Sequence, residues 1–459
     1  MKKILLFSSM VCSSMSFGQS MLVNELGRYT DGRETACEIS TYDQASERLF
    51  TTNAAVDSID VIDLSNPALP VRINQFDVLS YGGGVNSLVS IGNGMIAAAI
   101  ENQVKQDNGV VVIFDVDGNF ISQVTVGALP DMITYAPTTK KLLVACEGEP
   151  DDDYLVDPLG AVAIIDLSNG AANLSNSDVS LLTFENAPST IVGAVQKPGT
   201  TWAQDLEPEY ITFNTDETWA MVNCQENNVF IKVDLVNGVI ADYIGLGFKD
   251  HSLPGNGFDA SDKDGEIDIQ SWNVLGVYQP DAIGTFSVNG TTYVVSANEG
   301  DGRDYDGYSS EVRVEDLTLD ASVYPAADNF QNEEVLGRLK TFSSDVLGDA
   351  DNDGQVEQIY SYGARSFSIW DENGNLVWDS GDQIEQFIAA NHASFFNCND
   401  GLADENDKRS DDKGPEPEAI TTGVVDGKTY VFVGLERQGG ILVYDVSNPT
   451  APIFETYIH

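Results

Sequence analysis

The stretch "VAIIDLSNG" (residues 162–170) sets an alternating apolar run before an aspartate, one further apolar residue and an Asn-Gly pair. Alternating β-branched residues read as a strand, and Asn-Gly reads as the turn that ends it. The phrase returns as "IDVIDLSNP" (59–67), "VVIFDVDGN" (111–119), "FIKVDLVNG" (230–238), "FSIWDENGN" (367–375) and "ILVYDVSNP" (441–449), with "EVRVEDLTL" (311–319) as a degenerate copy, making seven. Recurrence of this kind marks one small unit stacked against copies of itself.

Two more strands repeat upstream of the phrase. The nearer appears in "KLLVACEGE" (141–149), "TWAMVNCQEN" (218–227), "TYVVSANEGD" (292–301), "QIYSYGARS" (358–366) and "TYVFVGLER" (429–437). The farther appears in "LPDMITYAP" (129–137), "LEPEYITFN" (206–214), "QPDAIGTFS" (279–287) and "EPEAITTGV" (416–424), with "ACEISTYD" (36–43) and "VNSLVSIG" (85–92) as variants. Short antiparallel strands repeated in this way, without a convincing amphipathic helix, predict an all-β fold, a seven-bladed β-propeller with long loop insertions. The units exceed the ~40–45 residues of a compact blade. The surplus falls at 239–278, 300–310, 318–357 and 380–415, and long excursions from a rigid β scaffold usually carry function.

With 72 acidic residues against 23 basic ones and a formal net charge of −49, the surface repels phosphate backbones and anionic headgroups. Nucleic acid is therefore excluded as a partner, and divalent cations are favoured. Residues 1–18, "MKKILLFSSMVCSSMSFG", join two lysines, an apolar stretch and small residues, the pattern of a cleaved export signal. The mature chain is expected from Gln19, with residues 19–459 forming one propeller domain. No later segment has the ~18–20 apolar residues of a membrane span. An exported protein follows, secreted, periplasmic or associated with the cell surface. Cys37, Cys146, Cys224 and Cys398 remain after cleavage, and their pairing is not readable from spacing.

The farther strand carries the most informative acids. Asp131, Glu209, Asp281 and Glu418 each follow a proline and precede an isoleucine by two positions. A proline there belongs at the first residue of a strand, where the chain enters from a loop. Asn86 holds the same place, and Glu38 is displaced by one. If this strand is innermost in each unit, symmetry turns these residues toward one channel mouth. Glu101, Glu147, Glu226, Glu299 and Glu436 recur at the end of the second strand, where Arg365 takes the sixth place. Like charges within ~6 Å either bind a cation or retain protons. Oxygen ligands suit Ca²⁺ first, then Mg²⁺ or Mn²⁺.

Two insertions point to calcium separately. "DADNDGQVE" (349–357) places Asp349, Asp351 and Asp353 at alternate positions before Gly354, like the first half of an EF-hand loop, although position twelve is Tyr360 rather than Glu. "DASDKDGEID" (259–268) offers Asp259, Asp262 and Asp264 around Gly265. A solvated acidic turn is the ordinary alternative for both. The few bases gather nearby: Arg303, Arg365, Arg409, Lys413 and Arg437, with His251 in "FKDHSLPGNG". They offer an anion grip, and His251 a general acid or base. The competing assignment is a network of ion pairs with neighbouring acids.

"GFKDHSLPGNGFDASDKDG" (247–265), "YQPDAI" (278–283), "ANEGDGRDY" (297–305), "YGARSFSIWD" (362–371), "RSDDKGPEPEAI" (409–420) and "VGLERQGGILVYDVSNP" (433–449) strongly resemble the choice-of-anchor I family of exported proteins. The resemblance runs from about residue 22 to 458. It implies a propeller-like domain followed in relatives by differing surface-sorting tails. Some relatives bear the label alkaline phosphatase, an association rather than a mechanism.

Two functional readings follow. In one, a Ca²⁺-dependent hydrolase acts on a small phosphorylated or otherwise anionic substrate, the acids holding metal and the arginines gripping the oxyanion. In the other, calcium rigidifies a non-catalytic surface or matrix protein that binds glycans or partner proteins.

Overall fold

The computed structural model describes residue 21, residues 23–33 and residues 36–459. The expected export signal, 1–18, lies outside the described residues. Six four-stranded antiparallel sheets dominate the fold, spanning 36–77, 85–128, 130–183, 210–245, 283–379 and 417–458, here sheets 1 to 6. Within each, the strands pair in chain order.

The repeated aspartate explains the repeated turn. Asp166 Oδ1 accepts the Ser168 N–H at 2.8 Å, and Asp115 Oδ1 accepts those of Asp117 and Asn119 at 2.9 and 2.8 Å. Asp63, Asp234, Asp371 and Asp445 make the same kind of bond two residues on. An aspartate that accepts backbone N–H groups ahead of it mimics a turn and closes the third strand onto the fourth. The Asn237 side-chain amide, together with backbone N–H groups ahead of it, holds the Asp234 carboxyl below its usual range.

The second and third strands of the sheets are buried on both faces. In Met95–Ile100, Ala97 and Ala99 join the core shared with sheet 3, while Ile96, Ala98 and Ile100 join the core shared with sheet 1. Successive residues point to opposite faces of a strand, so each of these strands serves two interfaces. Equivalent cores join sheets 3 and 4 through Val162 and Val222, sheets 4 and 5 through Phe230 and Trp370, and sheets 5 and 6 through Ile369 and Val433.

The count of sheets departs from the seven units expected. The degenerate copy, 311–319, supplies only Glu311–Arg313 and the 3-10 turn Val314–Asp316. Its strand belongs to a five-stranded sheet with Phe248–Asp250, Val274–Val277, Lys340–Phe342 and Ile359–Ser361, all from insertions. The expected second strand at 358–366 likewise falls in that sheet. In sheet 5, Thr291–Asn298 pairs directly with Ser366–Asp371, from Asn298 opposite Ser366 to Tyr293 opposite Asp371. Residues 299–365 are thus one excursion inside a single sheet, which sequence spacing divides into two units. Gly300 and Gly363 form its neck, both at positive φ: a side chain on Gly300 would strike the Gly363 backbone, and one on Gly363 the Glu299 carbonyl. That crossing returns the chain to its starting point, so the pairing survives the insertion.

The four described cysteines are unpaired. Among the described residues, no helix is long and apolar enough to cross a membrane.

Candidate functional site

The first strands, Ala36–Asp43, Val85–Gly92, Pro130–Ala136, Tyr210–Phe213, Ile283–Val288 and Pro417–Val425, come from six different sheets. Residues at or beside their starts line one cavity of about 380 Å³: Glu38, Asn86, Asp131, Tyr210, Asp281 and Glu418. Five of the six first-strand positions singled out in the sequence therefore meet. No lysine or arginine belongs to the lining.

Asn86 anchors its neighbour by donating to the Pro130 carbonyl at 3.2 Å. Burial pushes Asp131 up to about 7, and Glu38 beside it adds to the shift. Glu418 also reaches about 7, through burial and then Glu436. Asp281 is raised by burial, Glu299 and Glu418. A ring of such carboxyls retains protons until a cation replaces them.

Glu209 departs from this ring. Its strand starts one residue later, at Tyr210, whose N–H bonds the Asn223 side chain at 3.0 Å. Tyr210 takes the place at the cavity. Glu209 instead meets Glu147 and Glu226, with one oxygen from each lying within 4.8 Å of the others. Glu226 is pushed up to about 7, mainly by burial, and burial also raises Glu147 and Glu209.

Two further tight acid sets occur among the described residues: Glu299–Glu416–Glu436 and Asp349–Asp351–Asp353–Glu357. The first already holds cations. Lys413 Nζ donates to Glu299 at 2.6 Å, Arg409 Nε to Glu416 at 2.6 Å, and Arg437 Nε lies 3.1 Å from Glu436. The second is the expected loop, with Glu357 joining where position twelve does not. Asp349 accepts the N–H of Gly354 at 2.7 Å, and Glu357 that of Ala350 at 2.8 Å. Gly354, at φ 87°, makes the turn.

Asp259, Asp262 and Asp264 do not converge as a loop. Asp259 is buried and accepts the N–H of Asp268 at 2.9 Å. Asp262 is ion-paired with Lys263 and Arg338, and Asp264 bonds the Glu266 N–H at 3.0 Å. Alternating acids alone do not show that nearby bases will claim one of them.

The expected anion grip is likewise engaged elsewhere. Arg303 is buried, donating to Glu207 at 3.0 Å and to the Asp205 carbonyl at 2.9 Å. Arg365 is also buried and serves four acceptors. His251 lies in the insertion, where Nδ1 is 2.6 Å from the Asn256 carbonyl oxygen and the ring meets Phe258 edge-on. Burial drives its pKa well below the usual value, so the ring is neutral. None of these side chains lines the cavity. The geometry of Arg303 and Arg365 is that of the competing assignment, a network of ion pairs, whose acids Glu207 and Glu385 lie 96 and 20 residues away along the chain.

Fold and site together define an all-β protein of four-stranded sheets that surround an acid-lined cavity. The chain belongs to the choice-of-anchor I domain family, whose model matches residues 38–449. It is 28% identical over 341 residues to the mesenchyme-specific cell surface glycoprotein of Strongylocentrotus purpuratus, covering 63% of this chain and 43% of that one. It is 32% identical over 134 residues to Gigasin-3a of Magallana gigas, covering 28% of this chain and 46% of that one. The chain thus spans less than half the length of these curated relatives. Among solved structures, hydrazine synthase of Kuenenia stuttgartiensis aligns with 57% of this chain and 80% of its own at 11% identity, with a TM-score of 0.31, too low to establish a common fold.

Proposed function

We propose that this chain is an exported, calcium-binding surface or matrix protein, a single closed six-bladed propeller that its cations rigidify for binding surface glycans or partner proteins. The cavity carries the reading: four of the six sheets bring Glu38, Asp131, Asp281 and Glu418 to one space without a basic side chain in its lining. A divalent cation there keeps part of its water, because these acids are not among the sets whose oxygens come within 4.8 Å. A second calcium belongs to the loop at 349–357. Export is supported by the charged and apolar pattern of residues 1–18. Surface placement is supported by family membership and by the printed name of the sea-urchin relative.

The test joins a calcium titration of chelator-treated protein with glycan-array binding and an ester panel. Calcium-dependent melting and glycan or protein binding without turnover supports the reading. Melting indifferent to chelator and calcium refutes it. A metal-dependent phosphoester hydrolase is the second reading, favoured by Asp131 and Glu418 being held near 7, where general acid–base catalysis works best. Against it, Arg303, Arg365 and Arg409 are committed to protein acceptors. Phosphate release abolished by chelator and by Glu418→Gln would reverse this order.

A further inference from the structure

We infer that Glu147, Glu209 and Glu226 form a buried divalent-cation site that ties sheet 3 to sheet 4, separate from both the cavity and the 349–357 loop. The elements deliver these residues from different parts of the chain. Glu147 follows the second strand of sheet 3, Lys141–Cys146, and Glu226 follows that of sheet 4, Trp219–Cys224, by two residues. Glu209 precedes the first strand of sheet 4. The equivalent ends of adjacent sheets therefore meet, and one oxygen from each glutamate lies within 4.8 Å of the others. Oxygens bound to one Ca²⁺ at about 2.4 Å are at most about 4.8 Å apart. The spacing is that of ligands around a single ion.

Proximity of acids alone says little, but here two of them are nearly sealed from water. Glu209 is 9% exposed and Glu226 7%. Oε2 of each is buried and receives no hydrogen bond among the described residues. Unmet acceptors on buried carboxyls are costly. Buried, unmet and converging, they lack a positive partner at their centre.

The nearest base does not fill that role. Arg303 acts on Glu226 through its charge, against the effect of burial, but its Nη2 is turned to Glu207 Oε2 at 3.0 Å and the Asp205 carbonyl at 2.9 Å, with no hydrogen bond to the three glutamates. This differs from Glu299–Glu416–Glu436, whose acids are met by Lys413, Arg409 and Arg437. An all-oxygen, all-carboxylate set without sulfur or imidazole selects a hard ion, Ca²⁺ ahead of Mg²⁺ or Mn²⁺.

The experiment uses the full chain, stripped by chelator and dialysed separately against Ca²⁺, Mg²⁺ and Mn²⁺. Elemental analysis gives ions per chain, and melting is recorded with and without metal. Glu226→Gln is compared with Glu418→Gln in the cavity and Asp351→Asn in the loop. The expected result is that Glu226→Gln binds one calcium fewer than wild type. Without metal it melts at or above the stripped wild type, because one buried charge is gone, and it gains less on adding calcium. A Glu226→Gln protein with wild-type stoichiometry and an unchanged calcium-induced shift overturns the site. Loss of an ion in Glu418→Gln alone supports the cavity reading while sinking this one; loss in Glu226→Gln alone does the reverse. If Glu226→Gln fails to fold, Glu147→Gln, at a partly open position, is judged by the same criteria.

Discussion

Replacement of Arg365 by methionine separates a structural arginine from a catalytic one. Its Nη1 donates to the Asp259 carbonyl at 2.8 Å and to Glu385 Oε1 at 2.9 Å, and its Nη2 to the carbonyls of Ser410 and Asp412 at 2.7 and 2.8 Å. The guanidinium also lies over Phe258, 4.4 Å from the ring centre. Three segments distant in sequence are fastened by this one side chain, which is 3% exposed. Removing one partner from a buried ion pair costs about 3–5 kcal/mol. Each carbonyl left without a donor adds about 1 kcal/mol at the low end. Partial relief comes from the Asp259 N–H, which stays on Glu385 Oε2 at 2.9 Å. The expected loss for Arg365→Met is therefore at least about 4 kcal/mol in urea unfolding at fixed calcium, a large share of the ~5–15 kcal/mol of a typical domain. Arg365→Met/Glu385→Gln should recover about 2 kcal/mol, since the unpaired charge is gone. A single-variant loss below about 1 kcal/mol, or lost turnover with stability intact, would refute the structural assignment.

Other consequences can be checked with the same preparations. Asp351→Asn should remove one calcium and leave the far-ultraviolet circular dichroism unchanged, because the 349–357 loop lies outside the six sheets; an unaltered calcium count contradicts a site there. Burial pushes Asp259 up to about 8, with Glu385 and Asp407 adding to it against the bonds from Asp268 and Ser261. Its folded pKa exceeds its unfolded one, so the stability it contributes is complete below about pH 4 and lost as pH rises through about 8. Urea midpoints at pH 5 and 8 should accordingly fall less in Asp259→Asn than in wild type, and parallel profiles would count against the shift. Gly300→Ala should destabilise sheet 5 by more than the ~1 kcal/mol of an ordinary glycine substitution, since the neck has no room and φ is positive there. Hydrogen exchange across Thr291–Asn298 reports it, and unchanged protection would contradict the crossing.

Much of the fold is legible in the residues. The alternating runs give the strands, and the aspartate that ends each third strand gives the turn because its carboxylate bonds N–H groups two residues on. The number of sheets was harder to read. Counting the aspartate phrase gives seven because "EVRVEDLTL" mimics it, although the farther strand, with "ACEISTYD" and "VNSLVSIG" included, recurs six times. A strand's partner is fixed by where the chain returns, and the Gly300–Gly363 crossing is a tertiary event that spacing does not encode. The site divides similarly. Proline followed by an acid identifies Asp131, Asp281 and Glu418 at the cavity; the proline opens the strand for Asp131 and Glu418, while Asp281 lies two residues before its strand. Glu209 obeys the same rule yet lies outside the cavity lining, where Tyr210 takes its place, and nothing in the proline–acid spacing distinguishes it. The partners of Arg303 and Arg365 come from distant segments, whereas Arg409 takes Asp412 and Glu416 from its own stretch, and acids outnumber bases so heavily that composition could not say which would be chosen.

The most direct measurement is calorimetric melting of the full-length protein in excess chelator and in millimolar calcium. Ions that bind only the folded chain stabilise it by about 2.7 kcal/mol each at a hundredfold excess over Kd. For a chain of this size, a shift of several degrees upward is the predicted result, larger in calcium than in magnesium. Superimposable transitions in chelator and calcium would contradict the claim that the converging carboxylates hold a divalent ion.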